Sequence, residues 1–262
     1  MGQTHIRPAA SINSAMQLTD VGFAAFMFTM LVTVYLLLTL YERLRYKGQM
    51  VRPISMRFSG FDPVTLLWGV VLLIAFNVLK IPFAEYLPAR ETNFGDGIYT
   101  LLTIVVIAPI LEEMIFRGRL YSLLRHDHSP TIAVLVTSML FGLMHGINVV
   151  ALTGFVAGLI FSYVNIRRRS IIASILLHMC NNALALALSI LSYQGRTFGV
   201  IFEGYISQMW MYIVVAIILL IGLVDILRTL RRATQEAAIV DVFKKSDNTP
   251  VKPAVQTLEQ GE

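Results

Sequence analysis

Charge is what this sequence has least of. Asp, Glu, Lys and Arg together make up 14% of its 262 residues, against roughly a quarter in ordinary globular chains. With so few charges, most of the surface cannot face water. Cysteine is nearly absent too. The single Cys180 rules out an intrachain disulfide and any cysteine-rich metal site, and inside an apolar run it reads as a small hydrophobe. There is no internal repeat, no low-complexity block and no glycine-rich phosphate loop. No cleavable signal peptide is apparent, because the first long apolar run is long enough to span a bilayer and is followed by a basic loop.

Hydrophobic residues make up 56% of the chain, and the mean hydropathy is +0.69. A membrane helix needs roughly 20 mostly apolar residues. Seven runs meet that standard, at about 21–41, 64–83, 98–121, 131–147, 149–165, 170–191 and 208–227. The expected fold is therefore all-α, a polytopic transmembrane bundle of seven spans. Its organisation is two N-terminal spans in 1–97, a four-helix core in 98–191, a last loop and span in 192–227, and a polar tail in 228–262. Within that tail, Arg228 to Lys245 suggests an amphipathic helix on the inner leaflet.

The net charge is +5, yet the basic residues cluster between apolar runs and do not form a nucleic-acid face. Of the 21 Lys and Arg residues, all but Arg7, Lys80, Arg90 and Arg196 fall in alternate connections. They occupy the 42–63 loop, the end of the third run (Arg117, Arg119, Arg125), the link Arg167 to Arg169, and the C-terminal tail. Seven spans with the N-terminus outside and the C-terminus cytoplasmic satisfy the positive-inside rule. Compact loops point to a bacterial inner membrane.

Charges inside a bilayer cost a few kcal/mol each, so each needs a reason. The third run contains Glu112, Glu113 and Arg117. On a helix Glu113 and Arg117 stand on one face, acid first, and can neutralise each other. Glu112 points about 100° away without a local partner, which is where general-base chemistry is expected. The fourth run ends Phe141-Gly142-Leu143-Met144-His145, and the sixth contains His178 and, four residues on, Asn182. Histidine can shuttle protons or ligate a metal, and an asparagine amide can hold an oxyanion. Together these residues would supply a base, two imidazoles and a polar donor from three helices, suited to driving water against a peptide carbonyl. Each histidine alone reads equally well as a hydrogen-bonded packing residue. Gly154 and Gly158 suggest close helix packing. Asn77, and Asp225 with Arg228, read as structural, and His126, Asp127 and His128 as solvated.

The ordered triple Glu112-Glu113-x-x-x-Arg117, Phe141-x-x-x-His145 and His178-x-x-x-Asn182 resembles the three motifs of the CPBP family. That family comprises CAAX-type prenyl-protein endopeptidases and bacteriocin-processing or bacteriocin-immunity proteins, also called Abi. The resemblance covers about 98–191. It implies an intramembrane endopeptidase in which Glu112 and His145 activate water, His178 and Asn182 face the substrate carbonyl, and Glu113 and Arg117 support the site. It also implies a divalent metal, zinc first, on Glu112, His145 and His178. The implied partners are a membrane-embedded or membrane-anchored protein or peptide substrate and the bilayer itself, with no nucleic acid. The alternatives are a non-catalytic immunity or scaffold protein of the same fold, and a small proton-coupled transporter; transporters often show two related halves, and none is evident. Depth remains a tension. At 1.5 Å per residue, His145 falls near the outer end of its run and His178 near the inner end of its own.

Overall fold

The computed structural model describes residues 19–47, 56–58, 62–80, 97–146, 149–193 and 209–247. Among these residues the chain is helical, with no strand. Its helices are α1 (Asp20–Arg45), α2 (Pro63–Leu79), α3 (98–127), α4 (Pro130–Leu143), α5 (Val149–Arg168), α6 (Ile171–Tyr193) and α7 (Met209–Asp247). Each begins where its sequence allows. Thr19 caps α1 by accepting from the Gly22 N–H, and Asp62 and Ser129 cap α2 and α4, each followed by proline at the first helical position. The cap of α3 comes from another helix: the Asp20 carboxylate accepts from the N–H groups of Tyr99 (3.1 Å) and Thr100 (2.6 Å). The starts of α1 and α3 therefore lie at the same end of the bundle.

The opposite end gathers the polar links between α1, α3, α5, α6 and α7. Tyr46 donates to Asp127, Arg168 pairs with Asp62 at 3.4 Å, and Arg169 pairs with Glu236 at 2.9 Å. The Ser170 hydroxyl donates to the Arg57 carbonyl. Asp62 sits outside the spans, and the Thr65 hydroxyl holds its carboxyl below the usual carboxylate range, helped by Arg168.

Among the described residues, four helices are long and apolar enough to cross a membrane: α1, α3, α5 and α7. The apolar described stretches of α2, α4 and α6 are shorter. In α1 and α7 only 6% and 11% of the most apolar window is buried against protein. Leu36, Leu37, Leu40 and Leu44 of α1, and Trp210, Ile213 and Leu220 of α7, stand exposed. Exposed apolar helix faces on this scale need lipid around them, so the protein is an integral membrane protein.

The core lies among α2 to α6, built from Leu72, Leu73, Ile115, Phe116, Phe141, Phe161, Val164 and Leu177. α4 and α5 form the closest pair. A Cβ on Gly142 would stand 2.4 Å from the Ala151 carbonyl oxygen and 2.8 Å from the Phe155 nitrogen, and Gly154 and Gly158 press on Gly142 and Ser138 in the same seam. The small-residue packing expected at Gly154 and Gly158 is present.

Several boundaries differ from the sequence reading. α3 runs on to Asp127, and Arg117 and Arg119 are buried within it, so neither belongs to a basic connection. Its interior is also irregular: 103–107 and 114–120 are π-helical, flanking an α-helical stretch at 108–113. The N–H of Ala108 reaches back to the Thr103 carbonyl and that of Tyr121 to Phe116, five residues in each case. α4 ends at Leu143, and His145 lies in the turn beyond it, where Gly146 adopts φ 113°, a left-handed value that favours glycine. The segment from Arg228 continues α7 without a break, as one helix of 39 residues. The expected external loops around 81–96 and 194–208, and the tail beyond 247, lie outside the described residues.

Candidate active site

The buried charges form a chain across two helices. Arg117 donates to Glu113 Oε1 at 2.7 Å, with both side chains fully enclosed, as their spacing on one helix face predicts. The second Arg117 nitrogen donates to the Gly158 carbonyl at 3.1 Å, which the absence of a Gly158 side chain permits: a Cβ there would come within 3.2 Å of it. The guanidinium lies over the Phe141 ring at 4.5 Å and the Phe161 ring at 5.3 Å, a cation–π setting.

Glu113 has a second partner that spacing could not reveal. His178, from α6, places Nδ1 3.1 Å from the same Oε1. A carboxylate only accepts, so Nδ1 carries the proton and Nε2 is the basic nitrogen of the neutral ring. That Nε2 faces Glu112 Oε2 at 3.7 Å. The ring is clamped between Phe161, stacked at 4.7 Å, and the edge of Phe141 at 5.5 Å. Arg117 thus fixes Glu113, Glu113 fixes the His178 tautomer, and His178 presents its basic nitrogen to Glu112. Glu112, Glu113, Arg117 and His178 are all buried.

The depth tension between the histidines is resolved by Phe141. Its ring meets His145 at 5.0 Å and His178 at 5.5 Å, so one aromatic side chain separates them. His145 Nδ1 bonds the Phe141 carbonyl at 2.8 Å, which again leaves Nε2 as the basic nitrogen. His145 is half-buried and lies close enough to Glu112 to act on it electrostatically. Asn182 sits one turn beyond His178 on α6, and its amide donates to the Ile104 carbonyl at 3.0 Å. Ile104 belongs to the first π stretch of α3, where the backbone bonding is irregular. π-Bulges occur frequently at functional sites, and here two of them bracket the glutamate pair.

Among the described residues, no group of three or more His, Cys, Asp or Glu side chains is disposed to hold a metal ion. In this arrangement Glu112, His145 and His178 do not form a ligand set, since the His178 nitrogens face two different carboxylates.

Two polar clusters lay beyond the sequence reading. Glu42 of α1, 2% exposed, pairs with Arg119 at 2.9 Å, and Arg119 also donates to the Tyr35 hydroxyl. The signal was a tyrosine in the first apolar run and a glutamate seven residues on, just past its end, but their partner lies 77 residues beyond Glu42. Asp225, grouped by sequence with Arg228, bonds across to α5, accepting from Tyr163 at 2.5 Å and Arg167 at 2.9 Å. Asn77 donates to the Leu73 carbonyl on its own helix. His126 and Asp127 pair with each other at the exposed end of α3. Cys180 is exposed, on a helix whose described residues are mostly apolar.

Comparison with known proteins bears on this same region. Residues 94–184 match the family model described as type II CAAX prenyl endopeptidase, Rce1-like. An uncharacterized 24.3 kDa protein of Escherichia coli is 33% identical over 129 residues, covering 44% of this chain. The match spans 59% of the length of that relative. No solved structure matches the chain. The matched segment contains Glu112, Glu113, Arg117, His145, His178 and Asn182, so over residues 94–184 the chain is similar to the CAAX-type prenyl endopeptidases.

Proposed function

We propose that the protein is an intramembrane endopeptidase that hydrolyses a peptide bond of a membrane-associated or lipidated substrate with water activated by side chains. The observation that carries this reading is the buried chain Arg117–Glu113–His178–Glu112. It holds two carboxylates and one permanent cation, so it reaches neutrality with a single proton on Glu112 or His178. A proton with two adjacent acceptors in a low-dielectric site is what acid–base catalysis needs.

In the proposed reaction, Glu112 takes a proton from water, assisted by His145 Nε2, as the water oxygen bonds to the substrate carbonyl carbon. His178, protonated at Nε2 and steadied by Glu113, faces the developing oxyanion together with the second N–H of Asn182. The C–N bond then breaks as Glu112 returns its proton to the leaving amine. Arg117 touches no reacting atom; it positions Glu113. Seven spans, with the N-terminus outside and the C-terminus in the cytoplasm of a bacterial inner membrane, complete the reading. The meeting of the basic helix ends at one end of the bundle supports that orientation.

The test is Glu112→Gln. The isosteric amide abolishes basicity without leaving a void, and losing a general base costs about 10²–10⁴-fold in rate. Cleavage of a reporter peptide should fall by that factor while melting stays near wild type. Proteomics of membrane fractions from wild-type and Glu112→Gln cells should show accumulation of uncut substrate in the variant. Wild-type turnover by Glu112→Gln would sink the assignment. Identical proteomes, with no reporter cleaved by either form, would favour the non-catalytic immunity or scaffold reading.

A further inference from the structure

A cavity of about 390 Å³ opens at the basic end of the bundle, among the end of α3, the starts of α4 and α6, the end of α5 and the extension of α7. Arg117, Arg125 and Arg169 line it, against one acidic residue, Glu236, among the described residues. Arg169 shares Glu236 at 2.9 Å, Arg117 closes the inner end with its charge directed at Glu113, and Arg125 donates to the His128 backbone carbonyl. Pro130 and Ile171, the first residues of α4 and α6, also line the cavity. Two helix N-termini of 14 and 23 residues therefore add partial positive charge to the same space. The rest of the lining mixes the polar Tyr121, Ser122 and Asn165 with an apolar face of Ala233, Ala237 and Val240 from α7 beyond the expected membrane boundary. A basic pocket between helices at a membrane surface has the form that binds phosphate headgroups.

We propose that this cavity binds a phosphate-bearing anion on Arg125 and Arg169, either the headgroup of an anionic phospholipid in the adjacent leaflet or free phosphate. The α7 extension forms its outer wall, with acyl carbons resting against the alanine–valine face in the lipid case. The site is independent of the proteolytic reading and uses none of the residues assigned to water or to the substrate carbonyl.

The experiment uses the full chain in neutral detergent, with melting and direct binding measured against three probes: inorganic phosphate, short-chain phosphatidylglycerol and short-chain phosphatidylcholine. Phosphatidylglycerol should bind saturably and raise the melting temperature, and phosphatidylcholine should do neither. Arg125→Gln and Arg169→Gln should each weaken binding about tenfold, the order expected for one charge-assisted hydrogen-bond partner, and Arg125→Lys should restore part of it. Inorganic phosphate binding as tightly as the lipid, with the same sensitivity to both arginines, would identify free phosphate as the occupant; binding by the lipid alone would identify the headgroup. Failure of both anions to bind overturns the proposal, as does binding that neither arginine variant weakens. Should Arg125→Gln fail to fold, Arg169→Gln at the exposed rim gives the deciding measurement.

Discussion

Arg117 and Glu113 can be removed singly or together, and the comparison measures how far the site depends on their pairing. Glu113 is 0% exposed and accepts two bonds, from Arg117 and from His178. Arg117 is 3% exposed and donates to both Glu113 and the Gly158 carbonyl. Arg117→Leu leaves a buried carboxylate without its cation, and Glu113→Gln leaves a buried guanidinium without its ion-pair partner. Breaking a buried pair from either side costs about 3–5 kcal/mol. The double substitution removes both charges, so its cost should fall short of the sum of the singles by about 2–3 kcal/mol, the upper range for residues in direct contact. Some loss should remain, because the Gly158 carbonyl loses its donor and His178 Nδ1 exchanges a carboxylate for a weaker amide acceptor in the double variant. Equilibrium unfolding of the four proteins in lipid discs gives the coupling energy, and a reporter peptide gives activity. The double variant should lose less stability than the two singles add up to, and its activity should not recover, since an amide at position 113 can present either its oxygen or its NH2 group and no longer fixes the His178 tautomer. A coupling energy below about 0.5 kcal/mol would refute the view of this pair as one neutral unit. So would a double variant with wild-type turnover.

Three further outcomes are expected. Gly142→Ala places a methyl group 2.4 Å from the Ala151 carbonyl oxygen, so α4 and α5 must separate; the variant should lose at least about 1–3 kcal/mol, as overpacking does, and a wild-type melting curve would contradict the closeness of that seam. Metal analysis of purified protein, with His145→Ala and His178→Ala as controls, tests the zinc expectation: stoichiometric metal lost in both variants would support it, and full activity after exhaustive chelation would leave water activation to Glu112 and histidine. On a Cys180-free background, cysteines at positions 48 and 168 should label only from the cytoplasmic side and those at 94 and 194 only from outside, and labelling of position 48 in intact cells would invert the orientation.

Much of the scaffold could be read from the chain because a bilayer leaves few options: an apolar run must be helical to satisfy its backbone. The runs at 21–41, 64–83 and 170–191 reappear as α1, α2 and α6 with small shifts. The Glu113–Arg117 pair was also legible, since helix spacing alone determines it. Contacts between helices were not. The bond from His178 to Glu113 joins residues 65 apart, and that from Arg119 to Glu42 joins residues 77 apart; no periodicity encodes either. The arginines misled in a specific way. Arg117 and Arg119 resemble loop charges because topology rules count lysines and arginines without knowing which have buried carboxylates waiting. Similarly, the end of α7 at the membrane could not be told from its continuation, because Arg228 starts a polar stretch that is still a good helix former.

The wide turns in α3 make the aim of the glutamates a matter of arithmetic as much as of chemistry. Between the Asp20-capped start of that helix and Glu112 lies the π stretch 103–107, which accommodates more chain per turn than an α-helix would. Deleting a single residue there lets the helix relax to α geometry with its phase nearly kept, whereas deleting a second would swing the following segment by about 100°, turning Glu112 and Glu113 together away from His178. Substitution scanning, which preserves residue count, is blind to this dependence. A ladder of one-residue deletions and insertions through 103–107 would expose it, with activity vanishing and returning according to the phase of the helix while its composition scarcely changes.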